Sequence, residues 1–155
     1  GTARLIEAGW SALGFCAVGT LLMCAAPFLE GAPPIMSNYV PVLDGRVFLT
    51  GLLVFGAGCT LLVLRAMLAA PRVGTRPDGA AALRFGLNAA AVSAAVALIA
   101  FAWSWLELPK SLDGKAYYEV LFWGGGHVLQ FTWTLLMFAA WLWLAEGIGA
   151  RAPLA

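Results

Sequence analysis

The sequence predicts an all-α integral membrane protein built as a four-helix bundle, and three observations support this prediction. The 155 residues are 62% hydrophobic and only 11% charged, and the mean hydropathy is +0.87. Soluble domains are closer to half apolar and a quarter charged. The apolar residues form four runs of at least ~20 residues, each able to cross a hydrocarbon core of ~30 Å as a helix. Residues 1–155 are therefore expected to form a single transmembrane domain.

The four predicted helices cover about residues 5–29, 47–70, 80–108 and 118–148. Small residues in the first helix, such as Gly9, Ala12 and Gly19, allow a neighbouring helix to approach closely. The second helix carries glycines in its first half, and the third is rich in alanine. The fourth is long for one span, so we expect it to tilt or to protrude from the membrane.

Proline and charged residues separate the four runs. The first connection contains Pro33, Pro34 and Pro41, which cannot continue a helix. The other two connections are shorter and hold six of the 17 charged residues. No internal repeat and no strand pattern is present, so we expect no β-structure.

The basic residues predict the orientation in the membrane, because Lys and Arg concentrate on the cytoplasmic side. With four spans, six of them lie on the side of the termini and the second connection: Arg4, Arg65, Arg72, Arg76, Arg84 and Arg151. Three lie on the opposite side: Arg46, Lys110 and Lys115. Both termini are therefore predicted to be cytoplasmic, and the fourth helix enters the membrane from outside.

Several classes of function find no support in the sequence. The net charge of +1 gives no reason to expect a nucleic-acid partner. Cys16, Cys24 and Cys59 lie inside apolar runs without metal-ligand spacing, where cysteine behaves as a small hydrophobic residue. No phosphate-binding loop, Ser–His–Asp set or carboxylate pair is present, so no catalytic residue is assigned. The chain starts at Gly1 without a signal-peptide pattern, and we expect either processing or a piece of a longer polypeptide.

The single histidine, His127, stands out as the candidate functional residue. It follows Gly124, Gly125 and Gly126 at the start of a long apolar run. A histidine inside a membrane helix is costly, so it needs a partner, a proton or a metal. Each glycine costs a helix ~1 kcal/mol relative to alanine. Three in a row suggest something large against the backbone, such as a macrocycle or another helix; a broken or kinked turn is the alternative.

The sequence Leu-Phe-Trp-Gly-Gly-Gly-His, which ends at His127, resembles the sixth transmembrane helix of haem–copper oxidase subunit I. In that family a Leu-Phe-Trp run leads to Gly-His, and the histidine binds the copper that faces a haem. The preceding Asp113-Gly114 loop is also similar, as are Pro33-Pro34 and Asp44 in the first connection. The resemblance implies that the four helices correspond to helices three to six of a larger twelve-helix fold.

The resemblance also implies a function and a site. The chain would be the membrane part of an oxygen- or nitric-oxide-reducing subunit in a bacterial inner membrane, with haem and copper as cofactors. Other transmembrane helices or subunits of an oxidase-like complex would be its partners, together with the lipid bilayer. His127 would bind the metal. The cofactor would contact Trp123, Gly124, Gly125, Gly126 and Gln130.

The residues that follow the histidine depart from the commonest oxidases, which continue with Pro-Glu-Val-Tyr. This chain has Val128, Leu129 and Phe131 at the proline, glutamate and tyrosine positions. A phenylalanine cannot supply a phenolic proton and electron. The motif therefore resembles more closely the cb-type oxidases and nitric oxide reductases, which also lack that tyrosine.

One histidine cannot complete a copper site that needs three or four donors. Either the other ligands lie outside this chain, or His127 has lost the role of ligand. The alternative function is a non-catalytic four-helix membrane subunit or assembly protein, in which His127 only packs.

Aromatic residues cluster where the third helix ends and the fourth begins, at the same membrane depth. We expect them to surround the mouth of a ligand pocket near His127. The residues are Trp103, Trp105, Tyr118, Phe122 and Trp123.

Cysteine-accessibility labelling tests the predicted orientation. In a background without the three natural cysteines, a cysteine placed next to Arg76 should react with a membrane-impermeant reagent only after the cells are permeabilised. Labelling of this position in intact cells would contradict the predicted topology, because it would show that the second connection lies outside.

Overall fold

Four long α-helices make up most of the chain. The computed structural model describes residues 2–69 and 79–150. The helices are α1 (Thr2–Leu29), α2 (Arg46–Ala69), α3 (Gly79–Glu107) and α4 (Gly114–Gly147). All four are long and apolar enough to cross a membrane. The prediction of an all-α membrane protein with four helices is confirmed.

The observed helix ends differ from the predicted ones by a few residues. The largest difference is at α4, which begins at Gly114 instead of near residue 118. Asp113, immediately before it, has an extended backbone with φ −137° and ψ 173°, and so ends the preceding loop. Arg72, Arg76 and Arg151, which carry half of the predicted cytoplasmic charge, lie outside the described residues.

The connection between α1 and α2 contains a short antiparallel pair of strands, β1 (Pro34–Ile35) and β2 (Val42–Leu43). The expectation of no β-structure was wrong. Two-residue strands are too short to show an alternating pattern in sequence. Proline here favours the extended backbone that a strand needs, since its ring holds φ near −65°.

Small residues hold α1 against α2. A Cβ added at Gly58 of α2 would lie 2.7 Å from Cys16 Sγ and 2.9 Å from the Ala12 carbonyl oxygen on α1. At Gly51, a Cβ would lie 2.9 Å from the Gly19 carbonyl oxygen. Such distances leave no room for a side chain, so the two backbones touch directly along this face.

The second pair, α3 and α4, combines small residues with hydrogen bonds. Gly86 faces Ala139, whose Cβ lies 3.1 Å from where a glycine Cβ would be. Further along, the Thr132 hydroxyl donates to Ser93 Oγ at 3.1 Å, and the Ser93 hydroxyl donates to the Val128 carbonyl at 3.4 Å. These polar groups satisfy one another between the helices, where lipid offers no partner.

The two helical hairpins meet along a narrower contact between α2 and α3. Most of the buried residues in the described ranges are alanine or glycine, and no large side chain there is fully buried. The large apolar residues face outward instead: Leu53 is 76% exposed and Phe28 is 88% exposed. This arrangement suits a lipid environment, where outward apolar side chains carry no penalty and close packing supplies the cohesion.

Replacing Gly58 with alanine should destabilise the α1–α2 pair by about 1–3 kcal/mol, because the new methyl group would overlap Cys16. Gly56→Ala is the matched control: no described atom lies within 4 Å of its would-be Cβ. The control should be neutral or stabilising by up to ~1 kcal/mol, the helix-propensity gain. Unfolding of both variants in detergent measures the difference, and equal stabilities would contradict the contact.

Candidate functional site

The three glycines lie in an unbroken stretch of α4, so the alternative of a broken turn was wrong. A Cβ on Gly125 would collide with the ring of Phe101 on α3, and a Cβ on Gly126 would collide with the ring of Tyr39. Gly124 is less crowded. Within the described residues, the large groups against this backbone are therefore two aromatic rings, one of which comes from the neighbouring helix as expected.

Tyr39 belongs to the connection between α1 and α2, which we call the strap (residues 31–45). The β1–β2 pair closes the base of the strap. Next to it, the Glu30 carboxylate accepts hydrogen bonds from the backbone N–H groups of Val47 at 2.9 Å and Phe48 at 3.0 Å. These N–H groups have no partner inside α2, and a negative charge is favourable at a helix N-terminus. The strap is thus fixed to the start of α2.

His127 is held by two partners. Its Nδ1 lies 2.9 Å from the Trp123 carbonyl oxygen, one turn earlier on α4. A carbonyl can only accept, so Nδ1 carries the proton and Nε2 carries the lone pair of the neutral ring. The Tyr39 hydroxyl lies 2.8 Å from Nδ1 and 3.0 Å from Nε2.

The two distances from the Tyr39 hydroxyl locate it beside the ring. A hydroxyl in line with the lone pair of one nitrogen would be more than ~4 Å from the other nitrogen, on the far side of the ring. Here the hydroxyl is nearly equidistant from both. The Tyr39 hydroxyl therefore lies over the face of the ring. It leaves the in-plane position at Nε2 open. His127 itself is exposed.

A second contact fastens the strap to α4. The Asn38 side-chain amide donates to the Glu119 carboxylate at 2.8 Å, and Lys115 lies 4.0 Å from the same carboxylate. Glu119 lies two helical turns before His127, and Asn38 is the neighbour of Tyr39 in the chain. The strap consequently touches α4 at two levels.

One face of α4 has no helix packed against it within the described residues, and the strap contacts this face at His127. Packing against α3 uses residues such as Gly125, Thr132 and Ala139, which are buried. The opposite face has a spacing of three and four residues, which places its members in one stripe along the helix. We call it the free stripe; its members, all exposed, are Trp123, His127, Gln130, Thr134, Phe138 and Trp141.

Gln130 lies on the free stripe, and its side chain makes no hydrogen bond to the described residues. Thr134, one turn later, bonds back to the Gln130 carbonyl at 2.8 Å. Three polar side chains thus share a stripe of a predicted membrane span. Because polar groups in lipid are costly, Gln130 is the residue of the three that needs a partner, since its side chain has none among the described residues.

The predicted aromatic cluster divides into two parts. Phe122 stacks on Tyr118, with ring centroids 6.1 Å apart, and meets Phe101 edge-on at the same distance. Trp103 and Trp105 are 67% and 64% exposed. The Phe122 ring packs between α3 and α4 with Tyr118 stacked on it, whereas the three tryptophans of the cluster, including Trp123, face outward.

Tyr39 is the contact of His127 that sequence reasoning missed. The two residues are 88 positions apart, and Tyr39 lies in a proline-rich connection that predicts only a turn. Gly126 was the available signal, since the absence of a side chain there implies a close neighbour. The sequence does not reveal which ring fills that space.

The described structure is that of a helical integral membrane protein with a histidine on an open helix face. The chain is 30% identical over 141 residues to the uncharacterized protein RP382 of Rickettsia prowazekii (strain Madrid E), covering 85% of this chain and 26% of that protein. It is 29% identical over 127 residues to an uncharacterized protein of Aquifex aeolicus (strain VF5), covering 82% and 32%. No family model and no solved structure matches. The chain spans about a quarter to a third of the length of these relatives.

Removing the Glu119 carboxylate with Glu119→Ala should loosen the strap. An exposed polar contact of this kind contributes about 0.2–1 kcal/mol. Hydrogen exchange at the Ser37 amide, which bonds to the Ile35 carbonyl, should therefore accelerate roughly 1.4–5-fold. Glu107→Ala is the control, because Glu107 is exposed at the end of α3 and has no partner among the described residues. Equal exchange rates in both variants would refute the contact between the strap and α4 at Glu119.

Proposed function

We propose that this chain is a membrane segment of a haem–copper oxidase-like subunit I, in which His127 supplies one ligand to a metal that reduces oxygen or nitric oxide. The observation that carries the proposal is the way the imidazole is hydrogen-bonded. Its Nδ1–H is held by the Trp123 carbonyl at 2.9 Å, and the in-plane position at Nε2 is open. Metal-binding histidines commonly donate one N–H to a carbonyl in this way, while the other nitrogen binds the metal.

The described residues would supply part of the site. They contain no group of three or more His, Cys, Asp or Glu side chains that could hold a metal ion. His127 fits the role of a single ligand in a shared site, and the other ligands must come from residues beyond this chain. The relatives, which are three to four times longer than their matched regions, have room for such residues. When bound, the haem and copper would supply the electron-transfer chemistry.

The free stripe supports a partner made of transmembrane helices. His127, Gln130 and Thr134 are all exposed on it and lie within one predicted span. Helices that offer hydrogen-bond partners at these depths would satisfy the polar groups and cover the tryptophans. We infer that further helices of the same polypeptide or complex pack here, with Gln130 facing a cofactor or a polar group of a neighbour.

The proposed setting is a bacterial inner membrane with both termini of this segment in the cytoplasm. The bacterial relatives and the excess of basic residues on one side support it. In this orientation the strap and the start of α4 lie on the outer side, and His127 lies about 20 Å along the helix from Gly114.

A non-catalytic membrane subunit or assembly protein is the second candidate function. One observation favours it: Tyr39 and the Trp123 carbonyl already provide hydrogen-bond partners for the imidazole. A histidine with such partners has no need of a metal to remain in a membrane helix.

Replacing His127 with alanine separates the two candidates. A metal ligand predicts that His127→Ala loses the copper and the activity while the bundle stays folded. A packing histidine predicts an unchanged metal content and a loss of roughly 1–2 kcal/mol in stability from the broken hydrogen bonds. Metal analysis and thermal unfolding of the same purified, intact polypeptide provide the measurement. Unchanged copper would exclude the ligand role.

A further inference from the structure

We propose that a transmembrane helix of the same polypeptide, from beyond these 155 residues, packs along the free stripe between Gln130 and Trp141 and hydrogen-bonds to the Gln130 side chain. The inference rests on one part of the proposed function, a further helix on this face, and does not require His127 to bind a metal. It adds which polar group the partner satisfies and which stretch of α4 the partner covers.

Gln130 lies deep in the apolar part of α4. The sequence has no charged residue between Glu119 and Glu146, and at helical rise Gln130 is about 16 Å from the first and about 24 Å from the second. Its amide carries two N–H donors and a carbonyl acceptor, and none of them has a partner among the described residues. A polar group without partners is costly in hydrocarbon, so the amide requires a polar neighbour.

The described neighbours of Gln130 on the free stripe do not supply that partner. The Thr134 hydroxyl, one turn later, donates to the Gln130 backbone carbonyl at 2.8 Å and so is already used. The strap contacts the stripe one turn earlier, at His127. Beyond Gln130 the stripe continues for about 17 Å to Trp141, where Phe138 and Trp141 are 48% and 58% exposed.

The segment that covers this stretch has to be a helix. In the hydrocarbon region a lipid-exposed loop or open strand would leave its own backbone groups without partners. A helix satisfies its backbone internally and can present a polar side chain to the Gln130 amide. The Phe138 and Trp141 rings meet edge-on, 5.9 Å apart between centroids, so the covering helix needs small residues opposite them.

A second copy of the chain fits this face poorly. In a symmetric parallel pair of α4 helices each residue of the stripe would meet its own counterpart, so the rings of Phe138 and Trp141 would face the same rings. Closely packed membrane helices use small residues at such contacts, and the stripe has neither glycine nor alanine. A helix of different sequence can place small residues there.

The relatives are long enough to provide such a helix within one polypeptide. The matched region makes up 26% of the Rickettsia prowazekii protein and 32% of the Aquifex aeolicus protein. Most of each relative therefore lies outside the part that corresponds to this chain. A helix from that remainder is tethered to α4, and the tether favours its packing over that of a separate protein.

A photo-crosslinking amino acid in place of Phe138 identifies the occupant in the intact, purified polypeptide. The adduct should join α4 to a transmembrane segment of the same molecule outside residues 1–155, as read by mass spectrometry after cleavage. Absence of this adduct would overturn the proposal, whether the probe reacts with a second copy, with a separate protein or only with lipid.

Gln130→Leu tests the hydrogen bond in the same polypeptide. Leucine at a lipid-facing position would stabilise the protein, whereas at the proposed contact it leaves the polar group of the partner helix unsatisfied. The unfolding equilibrium in detergent should therefore shift toward the unfolded state about 3–18-fold, the range measured for hydrogen bonds between membrane helices. Thr134→Val is the matched control on the same stripe, because its hydroxyl bonds within α4; its shift should stay within about twofold.

Unchanged or greater stability of Gln130→Leu, or an equal loss in Thr134→Val, would refute the contact at Gln130. The failure of this proposal is distinguishable from that of metal binding. Metal analysis of His127→Ala decides whether His127 is a ligand, whereas the adduct at position 138 and the stability of Gln130→Leu decide whether a helix of the same polypeptide covers the free stripe.

Discussion

Direct contact between helix backbones is the interaction on which this structure depends. In a membrane, apolar side chains gain nothing by leaving lipid for the protein interior, so helices associate through close packing and hydrogen bonds. Here Gly58 meets Cys16 and Ala12 without room for a side chain, and Gly86 meets Ala139 in the other hairpin. The core consists of such small residues, and the bulky residues are left for the outside.

The strap joins the two hairpins where their helices are less closely packed. It starts beside Glu30, which caps α2, and it reaches α4 through Asn38 and Tyr39. The strap has a proline in β1 and another directly before β2, and these restrict its backbone where it carries the Tyr39 ring. The consequence is that a residue between α1 and α2 becomes a neighbour of a histidine on α4, two helices further along the chain.

The histidine illustrates how a polar group is accommodated in a predicted membrane span. Its proton has a carbonyl acceptor on the same helix, and its ring is bounded by Trp123 and Tyr39. Gln130, on the same stripe, has no side-chain partner within the described residues. The two polar residues thus differ: the first has hydrogen-bond partners within the chain, whereas the side chain of the second has none among the described residues.

The sequence by itself determined the class of protein and its four helices, because a run of ~20 apolar residues can satisfy its backbone in lipid only as a helix. It also identified Gly124, Gly125 and Gly126 as places where something approaches the backbone. Only the tertiary structure decided what approaches: Gly125 receives Phe101 and Gly126 receives Tyr39. Helical periodicity does not say which faces meet, and a two-residue strand pair leaves no pattern. The Tyr39–His127 contact joins residues 88 positions apart, and it exists because the packing of two hairpins brings the strap over α4.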